Sequence, residues 1–324
     1  MRSPTLVALR ALGLGDLLTA VPALRALADA FPGHRRLLAT RPALAPLARC
    51  TGTVDEVVPA DGLAGPPDAR LYGADVAVNL HGRGPESHRL LLGTGPRRLL
   101  AFAHPAVPAT APGPRWRDDE HEVARWCRLL AESGVPADPG RLDLELPAGP
   151  VPGDVRGATL LHPGAGSPAR RWPPARFAAV AAAERARGRG VAVTAGPGEA
   201  ALARDVARRA GLPGRAVHAV GDDVLALGRL VAAAGRVVCG DTGVAHLATA
   251  LGTPSVVLCG PVSPARWGPP ADRPAVHRAL WAGRGGDPHG RRPDPGLLAL
   301  SVGDVMAALE ALDARPRPSG SRPA

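Results

Sequence analysis

The chain contains no lysine: all 39 of its basic side chains are arginine. Aromatic residues are nearly as scarce, with five Trp, three Phe and one Tyr in 324 residues. The arginines are scattered rather than interleaved with stacking rings, which argues against nucleic-acid binding. Four cysteines occur, Cys50, Cys127, Cys239 and Cys259, none in a CxxC pair and all in apolar surroundings. They read as reduced packing residues of a cytoplasmic protein, and no metal cluster is expected. No uninterrupted apolar run reaches the about 18 residues of a membrane span. The apolar start at Thr5 to Leu9 is cut by Arg10 and Asp16 before it attains the length of a signal-peptide core. The expectation is therefore a protein without a transmembrane segment, with peripheral association to a membrane face left open.

What the chain has in excess is glycine (40), proline (37) and alanine. This is the imprint of a GC-rich genome, which also explains arginine in place of lysine. The formal charge of +10 is then either compositional drift or a preference for phosphorylated ligands or an anionic acceptor. A hydrophobic content of 45% supports a sizeable core, and the length suits two domains.

The most informative stretch runs from Arg236 to Pro264. Val237-Val-Cys239 is an apolar run of strand type, Gly240-Asp-Thr-Gly243 turns the chain, and Val244, Leu247, Ala248 and Leu251 recur at helical spacing. Gly252-Thr-Pro254 ends the helix and Ser255-Val-Val-Leu-Cys259 forms the next strand. In such a βαβ unit the loop lies at the carboxyl end of the first strand, where the N–H groups of a helix start can hold a phosphate.

The same alternation fills the rest of the chain. A strand at Thr5 to Leu9 leads through Arg10-Ala-Leu-Gly-Leu-Gly-Asp16 into a helix from about Leu17 to Ala30, placing Asp16 at a helix start as an N-cap or as an exposed base. Strands follow at 37–40, 56–59 and 74–80, the last ending in His81-Gly-Arg83, candidate ligand contacts at a strand end. The Pro- and Ala-rich 103–114 reads as an irregular, mobile loop and 118–133 as a helix. Leu146-Pro-Ala-Gly-Pro-Val-Pro-Gly153 is the best linker, so an N-terminal domain is assigned to 1–150 and a C-terminal domain to 151–314. In the second half, strands at 158–161 and 191–194 alternate with helices at 174–187 and 199–210. A short strand at 217–220 and a helix at 222–234 precede the opening unit, a loop fills 283–295, and a last helix runs from 301 to 313. Residues 315–324 read as a disordered tail.

Three features in the second half suit a diphosphate: the Gly164-Ala-Gly166-Ser167 loop after a strand, the Arg170-Arg171-Trp-Pro173 run beyond it, and Asp241-Thr242-Gly243 at its helix start. Together they offer backbone N–H groups, hydroxyls and a guanidinium.

These residues carry a family resemblance. The chain resembles glycosyltransferase family 9, the ADP-heptose:lipopolysaccharide heptosyltransferase family, through LRALGLGDLLTAVPALRAL at 9, LHPGAGSPARRWP at 161, VVCGDTGVAHLATALGTPSVVLCGP at 237 and SPARWGP at 263. The resemblance implies an α/β protein of the GT-B fold, two Rossmann-like domains with parallel sheets facing across a cleft, acceptor on the N-terminal side and nucleotide sugar on the C-terminal side. It implies an inverting, metal-independent transfer without a cofactor, from a nucleotide sugar such as ADP-heptose to a glycan, lipid-linked or small-molecule acceptor. Asp16 matches the catalytic base. Gly164, Gly166, Ser167, Arg170, Asp241, Thr242, Gly243 and His246 fall at donor-binding positions, with Arg170 where the family usually has Lys. Gly15, His81 and Arg83 are assigned to the acceptor.

Two other readings compete. An NAD(P)-dependent oxidoreductase would use Gly13-x-Gly15 as a dinucleotide loop, but the third glycine and an acidic ribose partner are missing. A nucleotide-sugar-binding protein without catalysis would be expected to lack Asp16 or the phosphate-binding residues, and both are present.

Overall fold

The structure is a computed structural model that describes residues 3–313; the tail expected at 315–324 lies outside the described residues. The described residues divide into two compact units, one of residues up to 149 with 222–228, the other of 150–221 with 229 onward.

Unit 1 holds a parallel sheet of five strands, β1 (Thr5–Leu9), β2 (Arg35–Thr40), β3 (Glu56–Pro59), β4 (Val76–Asn79) and β5 (Arg98–Leu100), in the order β3-β2-β1-β4-β5. Its helices are α1 (Leu14–Thr19), α2 (Val21–Ala30), α3 (Ala45–Cys50), α4 (Glu86–Gly93) and α5 (Glu122–Glu132). Val7, Leu9, Leu37, Ala39, Val58 and Ala77 alternate along the strands to form one core cluster. The single helix expected from Leu17 to Ala30 is two. It begins at Leu14, closes at Ala20 and restarts at Val21, because Pro22 has no N–H to continue the ladder yet suits a first turn. The segment 103–114, expected as a mobile loop, folds back on itself: the Ala103 amide donates to the Pro114 carbonyl at 2.8 Å, and Thr110 is buried. Gly113 sits so close to the preceding backbone that a β-carbon there would lie 2.0 Å from the Ala101 carbonyl oxygen. Gly113→Ala is therefore expected to lower the stability of the protein by about 1–3 kcal/mol, read as a fall in denaturation midpoint. An unchanged midpoint would show that this turn yields.

Unit 2 holds a parallel sheet of six strands, β6 (Thr159–His162), β7 (Val191–Ala195), β8 (Val217–Ala219), β9 (Arg236–Gly240), β10 (Ser255–Cys259) and β11 (His277–Trp281), ordered β11-β10-β9-β6-β7-β8. Counted from β6 this is the 3-2-1-4-5-6 order of a Rossmann sheet. Its helices are α6 (Pro174–Ala186), α7 (Ala200–Arg209), α9 (Gly243–Ala250), α10 (Pro264–Trp267), α11 (Pro295–Ala299) and α12 (Val302–Asp313), while α8 (Val224–Ala233) begins among the residues grouped with unit 1. Trp172 is buried, meets Phe177 edge-on at 5.2 Å and donates its indole N–H to the Leu300 carbonyl at 3.1 Å. This ties the loop after β6 to the core. Burial pushes the thiols of Cys127, Cys239 and Cys259 upward, as inert packing residues require; Cys50 is only half-buried. No helix among the described residues is long and apolar enough to cross a membrane.

Candidate active site

In an open parallel sheet, ligands collect outside the carboxyl ends of the strands where the strand order reverses. In unit 2 that point lies between β6 and β9, paired in register with His162 opposite Cys239. The loops leaving these two strands are Pro163 to Arg170 and Asp241 to Gly243, so residues more than 70 positions apart meet at one end of the sheet. An Arg170 guanidinium N–H donates to the Asp241 carbonyl at 3.4 Å. Two glycines make room for this residue: a β-carbon on Gly240 would come 3.0 Å from the Arg170 carbonyl, and one on Gly166 would come 3.2 Å from its Nη2. The Arg170 Nε and the Thr242 hydroxyl are both buried, and neither has a hydrogen-bond partner among the described residues. Buried donors of this kind are costly unless a ligand supplies an acceptor. Asp241 is buried beside them, and desolvation pushes its carboxyl up to about 6 against the opposing charge of Arg170.

Unit 1 reverses its strand order between β1 and β4. Arg10 follows β1 there and Leu80-His81 follow β4. Asp16 stands in the first turn of α1, where Oδ2 accepts from the Gly13 amide at 3.1 Å and Oδ1 from Arg10 at 3.3 Å. Its side chain keeps 27% exposure. Burial raises its pKa above the ordinary carboxylate value; Arg10 opposes this and the negative charge of Glu122 adds to it. His81 is held by its own strand end: its amide donates to the Asn79 side chain at 2.9 Å and its Nδ1 accepts from the Ala11 amide at 3.2 Å. Burial and Arg10 depress its pKa to about 4, so near neutrality the ring is uncharged and carries its proton on Nε2.

The sequence-predicted residues thus fall into distinct situations. Arg170, Gly166, Asp241 and Thr242 come together at the switch point, with Gly243 opening α9. His246 lies one turn into α9, buried, its ring edge-on to Trp267 at 5.8 Å. Ser167 is otherwise engaged: its hydroxyl donates to the Pro288 carbonyl at 2.7 Å, and its neighbour Ala169 bonds to Gly290 and Asp294 at 3.1 Å. A hydroxyl that has given its proton to a carbonyl has none for a phosphate oxygen, so Ser167 fastens the loop to the 283–294 segment. Gly164 packs against a carboxylate, and a β-carbon there would lie 1.9 Å from Glu199 Oε2. Gly15 lies inside α1 rather than in the preceding loop. Arg83 is exposed, 3.9 Å from Asp118. Among the described residues no three His, Cys, Asp or Glu side chains are grouped to hold a metal ion.

The model of glycosyltransferase family 9 (heptosyltransferase) matches residues 114–284, more than half of the chain. The chain belongs to glycosyltransferase family 9. This family 9 enzyme is similar in structure to a glycosyl transferase family 9 protein from Veillonella parvula, at 19% identity over 96% of this chain and 98% of that one, with a TM-score of 0.76. ADP-heptose lps heptosyltransferase II of E. coli matches at 19% identity over 95% and 98% of the two chains, TM-score 0.74. E. coli heptosyltransferase WaaC, solved with ADP, matches at 18% identity over 94% and 99%, TM-score 0.69. No curated protein matches by sequence. The enzyme is thus a glycosyltransferase of the GT-B fold class, α/β with two Rossmann-like units and two parallel sheets.

Two groups near these loops were not singled out in the sequence. Glu199 follows β7, the strand beside β6, and its carboxylate lies 3.7 Å from His162 Nε2 and 4.0 Å from Arg171 while accepting from the Gly196 amide at 3.2 Å. Its signal was an acidic residue after Gly196-Pro-Gly198 at a strand end, about where a Rossmann fold holds a ribose hydroxyl. Arg10, which looked like a mere interruption of an apolar run, is fully buried beneath Asp16.

Proposed function

We propose that this family 9 glycosyltransferase transfers a heptose from ADP-heptose to a hydroxyl of a glycan, lipid-linked or small-molecule acceptor, by an inverting displacement that uses neither a metal nor a cofactor. The observation that carries this reading is the meeting of the 163–170 loop with Asp241-Thr242-Gly243, where the Arg170 Nε and the Thr242 hydroxyl are buried without partners. A guanidinium, a hydroxyl and the start of α9 suit the diphosphate of a nucleotide sugar. Glu199 offers an acceptor-only carboxylate to the ribose hydroxyls beside the Gly164 loop. The family's description as heptosyltransferases, and the ADP in the E. coli WaaC structure, support the choice of donor.

In the proposed reaction the acceptor oxygen attacks the anomeric carbon as Asp16 takes the hydroxyl proton. The bond from that carbon to the diphosphate breaks, and its electron pair leaves with ADP. Arg170 and the N–H groups at Thr242 and Gly243 stabilise the charge that develops on the departing oxygen. Unit 2 supplies donor binding, while unit 1 supplies the base and, through the neutral His81, a hydrogen-bond donor to the acceptor. We place the reaction in the cytoplasm, with a lipid-linked acceptor drawing the enzyme to a membrane face.

Thermal unfolding in the presence of ADP, ADP-heptose, UDP-glucose or NAD tests the donor. ADP and ADP-heptose at a hundred times their Kd are expected to stabilise the protein by about 2.7 kcal/mol, with little effect of the other two. Protection by NAD alone would overturn the reading in favour of a dinucleotide site.

A further inference from the structure

Arg10 leaves the central strand of unit 1 and is 1% exposed. Its fork is fully committed. Nε donates to the Asp16 carbonyl at 2.8 Å, Nη1 to the Leu80 carbonyl, and Nη2 faces Asp16 Oδ1 at 3.3 Å, the Thr19 hydroxyl at 3.2 Å and Glu122 Oε1 at 3.0 Å. The guanidinium also lies over the Trp126 ring, 4.7 Å from its centre. Glu122, itself buried, is the hub behind it: Oε1 also accepts from the Trp126 indole at 2.9 Å, and Oε2 accepts from Arg125. Arg125 donates in turn to the Arg117 and Glu120 carbonyls at 3.0 and 2.9 Å and stacks over Trp116. Two guanidinium groups and two carboxylates thus run in alternation from the α5 core to Asp16. A buried charge is tolerated only when paired in this way, and removing one member leaves its neighbour uncompensated.

We propose that Arg10, anchored by Glu122, is the positioning residue for Asp16: it joins the backbone of α1 to the end of β4 and fixes both the orientation and the negative charge of the Asp16 carboxylate. The inference rests on the assignment of Asp16 as base. Thr19 completes the frame, since its hydroxyl donates to the Asp16 carbonyl at 3.0 Å while accepting from Arg10. The charged groups acting on the carboxylate are Arg10 at the end of β1, which lowers its pKa, and Glu122 on α5, which raises it. His81, at the end of β4, stays neutral.

The Asp16 carboxyl can be followed by carbon-13 NMR titration of the full chain, its signal identified by its absence in Asp16→Asn. Arg10→Met is expected to move its titration to higher pH and Glu122→Gln to move it to lower pH, whereas Arg10→Lys, which keeps the charge but loses the planar fork, leaves it near the wild-type value. With ADP release from ADP-heptose as the assay, Arg10→Lys is expected to lose on the order of 10²-fold in kcat with ADP affinity unchanged, the signature of a misplaced group. Thermal unfolding accompanies each variant; should Arg10→Met fail to fold, Arg10→Lys and Glu122→Gln carry the test. A titration that moves in neither Arg10→Met nor Glu122→Gln, or full activity in Arg10→Lys, would overturn the role of Arg10. Full activity in Asp16→Asn would instead overturn the assignment of the base.

Discussion

Asp16→Asn is expected to reduce transfer by about 10²- to 10⁴-fold, the range for loss of a general base, while ADP binds with nearly unchanged affinity. The substitution is close to isosteric, and the amide can keep its carbonyl oxygen toward the Gly13 N–H, which now holds Oδ2 at 3.1 Å. What it removes is the lone pair that takes the acceptor proton. Separation of the two effects follows from the division of labour: Asp16 lies in unit 1, whereas the donor residues lie in unit 2. The pH dependence should follow the same group. A base must be ionised, so the rate rises as pH climbs through the Asp16 pKa, and burial places that limb above the ordinary carboxylate value. His81 adds no protonation step near neutrality, its pKa being about 4. Turnover retained in Asp16→Asn, measured as ADP release from ADP-heptose, would remove this residue from the mechanism.

Arg170→Ala is expected to weaken ADP binding and to slow transfer by about 10²- to 10³-fold, the loss typical of one preorganised donor aimed at developing charge. Its guanidinium supplies the positive charge that acts on the Asp241 carboxyl, and the glycines at 166 and 240 leave it the space it occupies. Without it, the buried Asp241 carboxyl would also lose the charge that holds its pKa down, so a negative group would be harder to keep ionised beside the diphosphate. Arg170→Lys restores the charge as a point rather than a fork and is expected to recover most of the binding. ADP affinity in Arg170→Ala equal to that of the wild type, by calorimetry, would place the diphosphate elsewhere.

Much of the fold was legible in the sequence because its signals are local. Val237-Val-Cys239, the Gly240 to Gly243 turn and the helical spacing from Val244 describe a strand, loop and helix over a few residues each, and β9 and α9 occupy those positions. The elements missed were α4, of eight residues, and several shorter ones. β5 has three residues, and β11 and α11 have five each, too few for a period of 2 or 3.6 to stand out against Arg- and Pro-rich surroundings. The break between α1 and α2 had a local marker in Pro22, which a single long amphipathic run concealed.

The side chains of the site divide in the same way. The segments that follow the strands and bear Asp16, Arg170 and Asp241 could be recognised one at a time. Which hydroxyl remains free could not: Ser167 gives its proton to a carbonyl 121 residues away. Nor could the environment of Asp16, since the carboxylate that braces Arg10 is Glu122, 112 residues further along.

By itself, then, the sequence determined the βα alternation and placed the polar loops at strand ends, because each of those features depends on neighbours a few positions apart. The tertiary structure decided which loops share an end of a sheet and which buried charges and hydroxyls are already satisfied. Strand order brings β6 beside β9 and β1 beside β4, and that order, together with the pairing of buried charge, arises only when distant segments pack.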